Sequence, residues 1–508
     1  MRTQIVIDPT ARIGKIDPNI YGQYFEHVDP SDHCIYGGLT SDDSKDTNEP
    51  GLRKDVIERS KELQVPLVRW PGGCFADIYH WEDGIGPKAS RPVRRNWFWG
   101  GLESNQFGTD EFLRWCQAVG AEPYINVNMG TGTLGEAIRW LDYCNGVEPT
   151  TDVLRRAENG HPEPYNVKYW GLGNETWGKH EPGHSDAQTY ANKLREWAHF
   201  FKKQDRTLKV LGVGEILGRD QDWNSTVVST AGRLIDYLTV HGYAHTTHLF
   251  DPDDYYPTVG TAAYFEDSLA ETVHNVHEIA DRLGFAKPPL ISMDEWNIRH
   301  LDRAKDAEGQ RGGTFLRRSS PRTFKDAIFA AGVFHAMHRL SPHVAMACYV
   351  FLVNGNAVMN TRGSELVTTP LFDVFQVYRR LFSGIALKVE QADPPTFLAP
   401  VRPSGFENGY PKSLSAPYVD VSASLSEESG QINIGLINRH KDEAIDVDIV
   451  LTKGSPRPVS VWTLYHDDVL AVNDFGKADE VRPVERVIES WNGVWRCPPH
   501  SISILQCK

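Results

Sequence analysis

The chain has 508 residues, 40% of them hydrophobic and 24% charged, with a formal net charge of -14. That length exceeds the roughly 250–300 residues at which one hydrophobic core stops growing, so two domains are expected, and the apolar fraction excludes a disordered chain. The surplus of carboxylates excludes a nucleic-acid partner, whose phosphates need excess Lys and Arg, and no run reaches the roughly 20 apolar residues that span a bilayer. Residues 1–9, MRTQIVIDP, contain no apolar run of signal-peptide length, which predicts a cytoplasmic protein.

In chain order, residues 3–7 form an isolated strand candidate. From about residue 19 to 385, short β-branched or aromatic runs alternate with longer amphipathic stretches, the pattern of repeated βα units. The strand candidates are 20–25, 67–70, 123–127, 167–171, 209–212, 237–241, 289–293 and 344–350. Helices are predicted over 53–63, 109–119, 186–203, 271–283 and 323–339, with Thr109 and Asp110 as an N-cap region. Residues 303–322 are polar and rich in Gly and Arg, which predicts a long loop after the seventh strand. Eight strands with intervening helices favour an α/β fold, a (β/α)8 TIM barrel whose functional residues sit at the C-terminal strand ends; a doubly wound open sheet is the structural alternative.

After Gly384 the texture changes to short alternating strands at 418–425, 431–438, 444–451, 459–464 and 501–506, separated by Pro, Gly and Asn. That predicts an all-β, jelly-roll-like sandwich, into which the strand at 3–7 folds back. The expected division is 19–385 for the barrel and 1–18 plus 386–508 for the sandwich. The seven cysteines are an odd count without CxxC spacing, which reads as reduced thiols rather than a disulfide framework or zinc site.

Two segments carry chemistry. Residues 169–178, YWGLGNETWG, run from a strand into a glycine-bounded turn that presents Asn174 and Glu175; residues 290–297, LISMDEWN, end another apolar strand on Glu295. On the fourth and seventh strands of a barrel these carboxylates face one another across its mouth. Glycosidic cleavage needs such a pair, one to protonate the leaving oxygen and one to meet the anomeric carbon as it gains oxocarbenium character. Carboxyl groups about 5–5.5 Å apart give retention, and about 6.5–9.5 Å apart give inversion. Repulsion from Glu295 and partial burial are expected to raise the Glu175 pKa and keep it protonated at rest.

These segments resemble the acid/base and nucleophile motifs of the family 51 α-L-arabinofuranosidases. So do residues 21–27 (YGQYFEH), 34–38 (CIYGG), 68–73 (VRWPGG), 81–87 (WEDGIGP) and 105–111 (NQFGTDE), which resemble that family's early barrel in the same order. The resemblance implies a retaining, exo-acting enzyme that removes terminal α-L-arabinofuranosyl groups from arabino-oligosaccharides, arabinoxylan or arabinan, with Glu175 as acid/base and Glu295 as nucleophile. It implies that Asn174 bonds the sugar 2-hydroxyl, Glu26 holds other ring hydroxyls, Tyr243 orients Glu295 and Trp99 lines the leaving-group side. It also implies a homo-oligomer, up to a hexamer, and no cofactor. Two positions depart from the family pattern. Cys74 stands where Asn is common, and a family Gln is replaced within residues 353–356, where Asn356 takes its place.

Other readings stay open. An Asn-Glu pair at a strand end also serves as a helix cap, and Glu26 or Tyr243 as an ordinary buried, hydrogen-bonded residue. His241, His245 and His248 lack an HExxH pattern, and Gly212, Gly214 and Gly218 do not complete a dinucleotide fingerprint, so neither a metal nor a nucleotide is expected. A β-xylosidase or endo-β-glycanase on the same barrel, and a carbohydrate-binding protein without catalysis, remain as rival functions.

Overall fold

The computed structural model describes residues 1–28, 34–41, 47, 51–216, 221–246, 252–301, 316–317, 321–400, 413–454 and 458–507. Most of the expected loop at 303–322 lies outside them. Among the described residues, eight parallel strands close a barrel: Gly22–Tyr24, Leu67–Trp70, Glu122–Val127, Tyr169–Leu172, Lys209–Val213, Tyr237–Thr246, Leu290–Leu301 and Val344–Tyr349. Each pairs with the next, and the last returns to the first with Cys348 opposite Gly22 and Tyr349 opposite Gln23. That closing pair rules out the doubly wound alternative.

The strands read as near-continuous apolar runs because both faces are covered, the inner by the lumen and the outer by helices. Every residue of Leu67–Trp70 and Val344–Tyr349 is buried. Tyr24, Leu67, Tyr124, Tyr169, Leu211, Tyr237, Met346 and Cys348 form a cluster of their own, drawn from strands all round the barrel, which fills the lumen. A larger cluster lies between strands and helices.

Two helical expectations need correction. The helix predicted over 271–283 is the second half of Tyr255–Arg282. Pro257 lies in its first turn, where the missing N–H takes nothing from the helical ladder. At the second position, Gly108 precedes the helix Thr109–Val119 and its N–H donates to Glu111 Oε2 at 2.9 Å. Asp110 instead accepts from the hydroxyls of Tyr143 and Tyr165, at 2.8 and 2.7 Å.

The second sheet has nine strands among the described residues, ordered Pro483–Val487, Pro458–Leu464, Ser501–Cys507, Ile432–Asn438, Val419–Leu425, Ile385–Gln391, Arg2–Lys15, Ile445–Leu451 and Val494–Cys497. The N-terminal strand runs further than expected, antiparallel to Ile385–Gln391 and parallel to Ile445–Leu451. Alternate residues such as Ile5, Ile7, Val421, Ile434, Val447 and Leu505 enclose a separate core, so the sheet folds over on itself as a sandwich.

The helix Phe324–Arg339 joins the two units and is buried from Phe324 to His338. Its Arg339 donates to Asp420 Oδ1 at 2.9 Å, and Arg439 reaches the other oxygen at 2.5 Å. His338 bonds Tyr21 beside the barrel and Ser422 on the sandwich, at 2.8 and 2.9 Å. Directional polar contacts of this kind fix how the two layers dock, where apolar packing alone tolerates sliding.

Candidate active site

The fourth barrel strand ends at Leu172, and the chain then turns through Gly173 at φ 89° to reach Glu175 at φ 38°. The first value suits glycine; the second costs a side-chain-bearing residue about 1–3 kcal/mol and is held only because the surroundings fix it. Two imidazoles do so here. His241 Nδ1 lies 2.7 Å from Glu175 Oε1 and His180 Nε2 lies 3.0 Å from Oε2.

Glu295 sits on the seventh strand, directly opposite His241 in the parallel pairing with the sixth. Both of its oxygens are held. Arg69 Nη1 donates to Oε1 at 2.5 Å, and the Tyr243 hydroxyl donates to Oε2 at 2.6 Å. Arg69 Nη2 also donates to Asn174 Oδ1 at 2.7 Å, so one guanidinium sets two neighbouring side chains. Asp294 lies 3.4 Å from Arg69 Nε and accepts from the Tyr124 hydroxyl at 2.7 Å. The Arg299 guanidinium covers the Tyr243 ring 3.6 Å from its centroid, which holds the phenol in place.

Carboxylate oxygens of Glu175 and Glu295, together with a His241 ring nitrogen, lie within 4.8 Å of one another. The two carboxylates thus converge on one point, within reach of a single small substrate group.

The electrostatics correct one expectation. Burial by itself would raise the Glu175 carboxyl, but hydrogen bonds from His180 and His241, and their positive charge, outweigh it and hold the group well below the ordinary range. His180 is pushed up to about 10 by its hydrogen bonds to Glu175 and Glu181. Burial opposes the charge on His241, yet Glu295, Asp294 and Glu175 push it up to about 10 as well. At neutral pH the site therefore stores its protons on imidazole nitrogens, with Glu175 as the anion between them.

The carboxylates open into a cavity of about 720 Å³, the size of a small-molecule site. Of the residues singled out in the sequence, Glu26, Cys74, Trp99, Glu175, Tyr243, Glu295 and Asn356 line it. Asn174, 1% exposed, is set back beside them. Glu26 Oε1 accepts the backbone N–H groups of Gly73 and Phe75, both at 3.1 Å. Cys74 Sγ lies 3.9 Å from Asn174 Nδ2. Phe98, Trp99 and Trp177 supply aromatic faces at the rim, where a sugar ring's apolar face can stack.

Sequence reasoning missed Arg69, Asp294, Arg299, His180 and Glu181. For Arg69 a signal was present, a lone charge inside a strand that is otherwise apolar. His241 was weighed only as a metal ligand with His245 and His248; the side chain of His245, and all of His248, lie outside the described residues.

Comparison with known proteins gives consistent results. The family model described as "Alpha-L-arabinofuranosidase 1 domain" matches residues 59–260, and "Alpha-L-arabinofuranosidase C-terminal domain" matches 294–501. The chain is 36% identical to Alpha-L-arabinofuranosidase C of Emericella nidulans, over 99% of this chain and 97% of that protein. It is 32% identical to the Intracellular exo-alpha-L-arabinofuranosidase of Bacteroides ovatus, over 92% of this chain and 88% of the relative. Among solved structures, the thermostable GH51 alpha-L-arabinofuranosidase from Thermotoga petrophila superposes with a TM-score of 0.88 at 36% identity, covering 100% of both chains.

Proposed function

The chain belongs to the α-L-arabinofuranosidases of glycoside hydrolase family 51, and on that premise we propose a retaining, exo-acting hydrolysis of terminal α-L-arabinofuranosyl groups by Glu175 and Glu295. The observation that carries this reading is the convergence of the two carboxylates, with His241, inside 4.8 Å at the floor of one cavity.

Glu295 is the nucleophile. With Arg69 on one oxygen and Tyr243 on the other, its carboxylate is held in one orientation before substrate arrives, so little reorganisation opposes attack on the anomeric carbon. Glu175 passes a proton to the leaving oxygen. That proton comes from the imidazolium of His241 or His180 through the shared hydrogen bond, because Glu175 itself rests ionised. Attack and proton delivery reinforce one another. As the ester forms, Glu295 loses the negative charge that most strongly supports a proton on His241, which frees the proton for the departing alcohol. Water then cleaves the ester with Glu175 as base.

Asn174 contacts the 2-hydroxyl, Glu26 the other ring hydroxyls, and Cys74 and Asn356 complete the sugar pocket, with Trp99 on the leaving-group side. The same reading assigns residues 19–385 to the catalytic barrel and 1–18 with 386–508 to the sandwich; pairing of the N-terminal strand with the C-terminal sheet supports it. Among the described residues no helix is long and apolar enough to cross a membrane. We place the enzyme in the cytoplasm as a homo-oligomer, supported by the "intracellular" name of the Bacteroides ovatus relative and by the family resemblance.

The test is hydrolysis of nitrophenyl α-L-arabinofuranoside, β-D-xyloside and β-D-glucoside, with NMR of the first-formed anomer. Cleavage of the arabinofuranoside with α-arabinose appearing first is expected. A β-anomer first, or turnover confined to the other two glycosides, overturns the reading.

A further inference from the structure

Beside the catalytic pair lies a second grouping that the reaction does not use in full. Donor atoms of Cys74, Glu175, His180 and Glu181 all lie within 4.8 Å of one another. His180 Nε2 is 3.0 Å from Glu175 Oε2 and 3.3 Å from Glu181 Oε1. Ligand atoms about 2.0–2.3 Å from a tetrahedral zinc stand roughly 3.3–3.8 Å apart, so the set needs only small side-chain adjustments to surround one ion. One thiol, one imidazole and two carboxylates form a donor set typical of zinc rather than of calcium or magnesium.

Two further observations point to a ligand. Glu181 is 5% exposed, its Oε2 meets no nitrogen or hydroxyl donor, and its carboxyl takes a hydrogen bond from the Cys74 thiol, so the thiol already points at the carboxylate with which it would share an ion. Its Oε1 is oriented by Asn174 Nδ2 at 3.3 Å, the kind of outer contact that steadies a ligating carboxylate. There is also an entry path, since Cys74, Glu175 and His180 all line the cavity and half of the His180 side chain is exposed.

We propose that Cys74, Glu175, His180 and Glu181 bind a thiophilic divalent cation of the zinc class, and that an ion held there arrests hydrolysis by occupying Glu175. The cation displaces one proton from the Cys74 thiol and one from the His180 imidazolium, both released to solvent, and the carboxylates that discourage a bare thiolate attract the dication instead. The inhibitory half rests on Glu175 being the acid/base; the binding half does not.

The experiment titrates metal-free, full-length protein with Co²⁺ followed by absorption, and then displaces it with Zn²⁺. One ion per chain is expected, with a sulfur-to-cobalt charge-transfer band in the near ultraviolet. Cys74→Ser abolishes the band, and His180→Ala weakens binding at least about tenfold, with circular dichroism showing both variants folded. The six other cysteines are buried, so loss of the band in Cys74→Ser identifies the sulfur. Absence of a band at stoichiometric cobalt, or a band intact in Cys74→Ser, overturns the site. Zn²⁺ at the concentrations that displace cobalt suppresses hydrolysis of nitrophenyl α-L-arabinofuranoside, and a chelator restores it; full activity in zinc-loaded protein overturns the inhibitory half. A protein inactive on every arabinofuranoside leaves the cobalt readout unaffected, so failure of the assigned activity is told apart from failure of the site.

Discussion

A Cβ on Gly73 would stand 2.3 Å from Oε1 of Glu295 and 2.9 Å from the Tyr24 hydroxyl. The backbone of the loop after the second strand is therefore pressed against the proposed nucleophile, and only glycine leaves room for that carboxylate to keep its contact with Arg69. A residue 222 positions earlier in the chain sets where Glu295 sits.

Gly73→Ala should push Glu295 out of line while leaving the fold intact. Displacement of a reacting group by about 1 Å costs on the order of 100-fold in rate, so kcat on nitrophenyl α-L-arabinofuranoside is expected to fall at least that far. A melting temperature near wild type would accompany it. Unchanged kcat would mean that the loop, and not the carboxylate, gives way.

The two carboxylates should respond differently to removal. Glu295→Ala is expected to lose turnover on every leaving group, because no ester can form. Glu175→Ala should lose most on alkyl leaving groups and least on activated nitrophenyl ones, and added azide should restore rate by attacking the glycosyl-enzyme without base assistance. Equal loss on all leaving groups without azide rescue would count against Glu175 as acid/base.

Arg69 is 1% exposed and faces Asp294, Glu295 and Asn174 at once. Arg69→Met strands two buried carboxylates without their counter-charge, which should destabilise the protein by about 3–5 kcal/mol. Urea denaturation measures this; a loss below about 1 kcal/mol would show that the carboxylates find another partner or take up protons.

His241 has a folded-state pKa near 10 against an ordinary value of 6.5. A group raised on folding stabilises fully below its unfolded pKa, and that contribution fades as pH climbs to the folded value. On the acid side the partner Glu175, held below its ordinary 4.5, gives up its share as pH falls through the depressed value. The melting-temperature gap between wild type and His241→Asn should thus be widest near pH 6 and narrow steadily toward pH 10. A gap independent of pH between those limits would exclude a charged His241.

The sequence by itself determined the two-part architecture, all eight barrel strands to within two residues at their starts, and the placement of Asn174 and Glu175 just past the end of the fourth strand and of Glu295 on the seventh. Those features are written in local periodicity and in short motifs. Even so, the first half of the helix Tyr255–Arg282 escaped, since the apolar periodicity is read only from residue 271. Only the tertiary structure decided which charges meet. Glu295 finds Arg69 across 226 residues, and Glu175 finds His241 across 66. The direction of the Glu175 shift followed from these meetings. Burial and repulsion, the two effects that can be guessed along a chain, argue for a raised pKa; two imidazoles brought in by folding reverse it, because Coulomb attraction and hydrogen bonding act through space at a few ångströms.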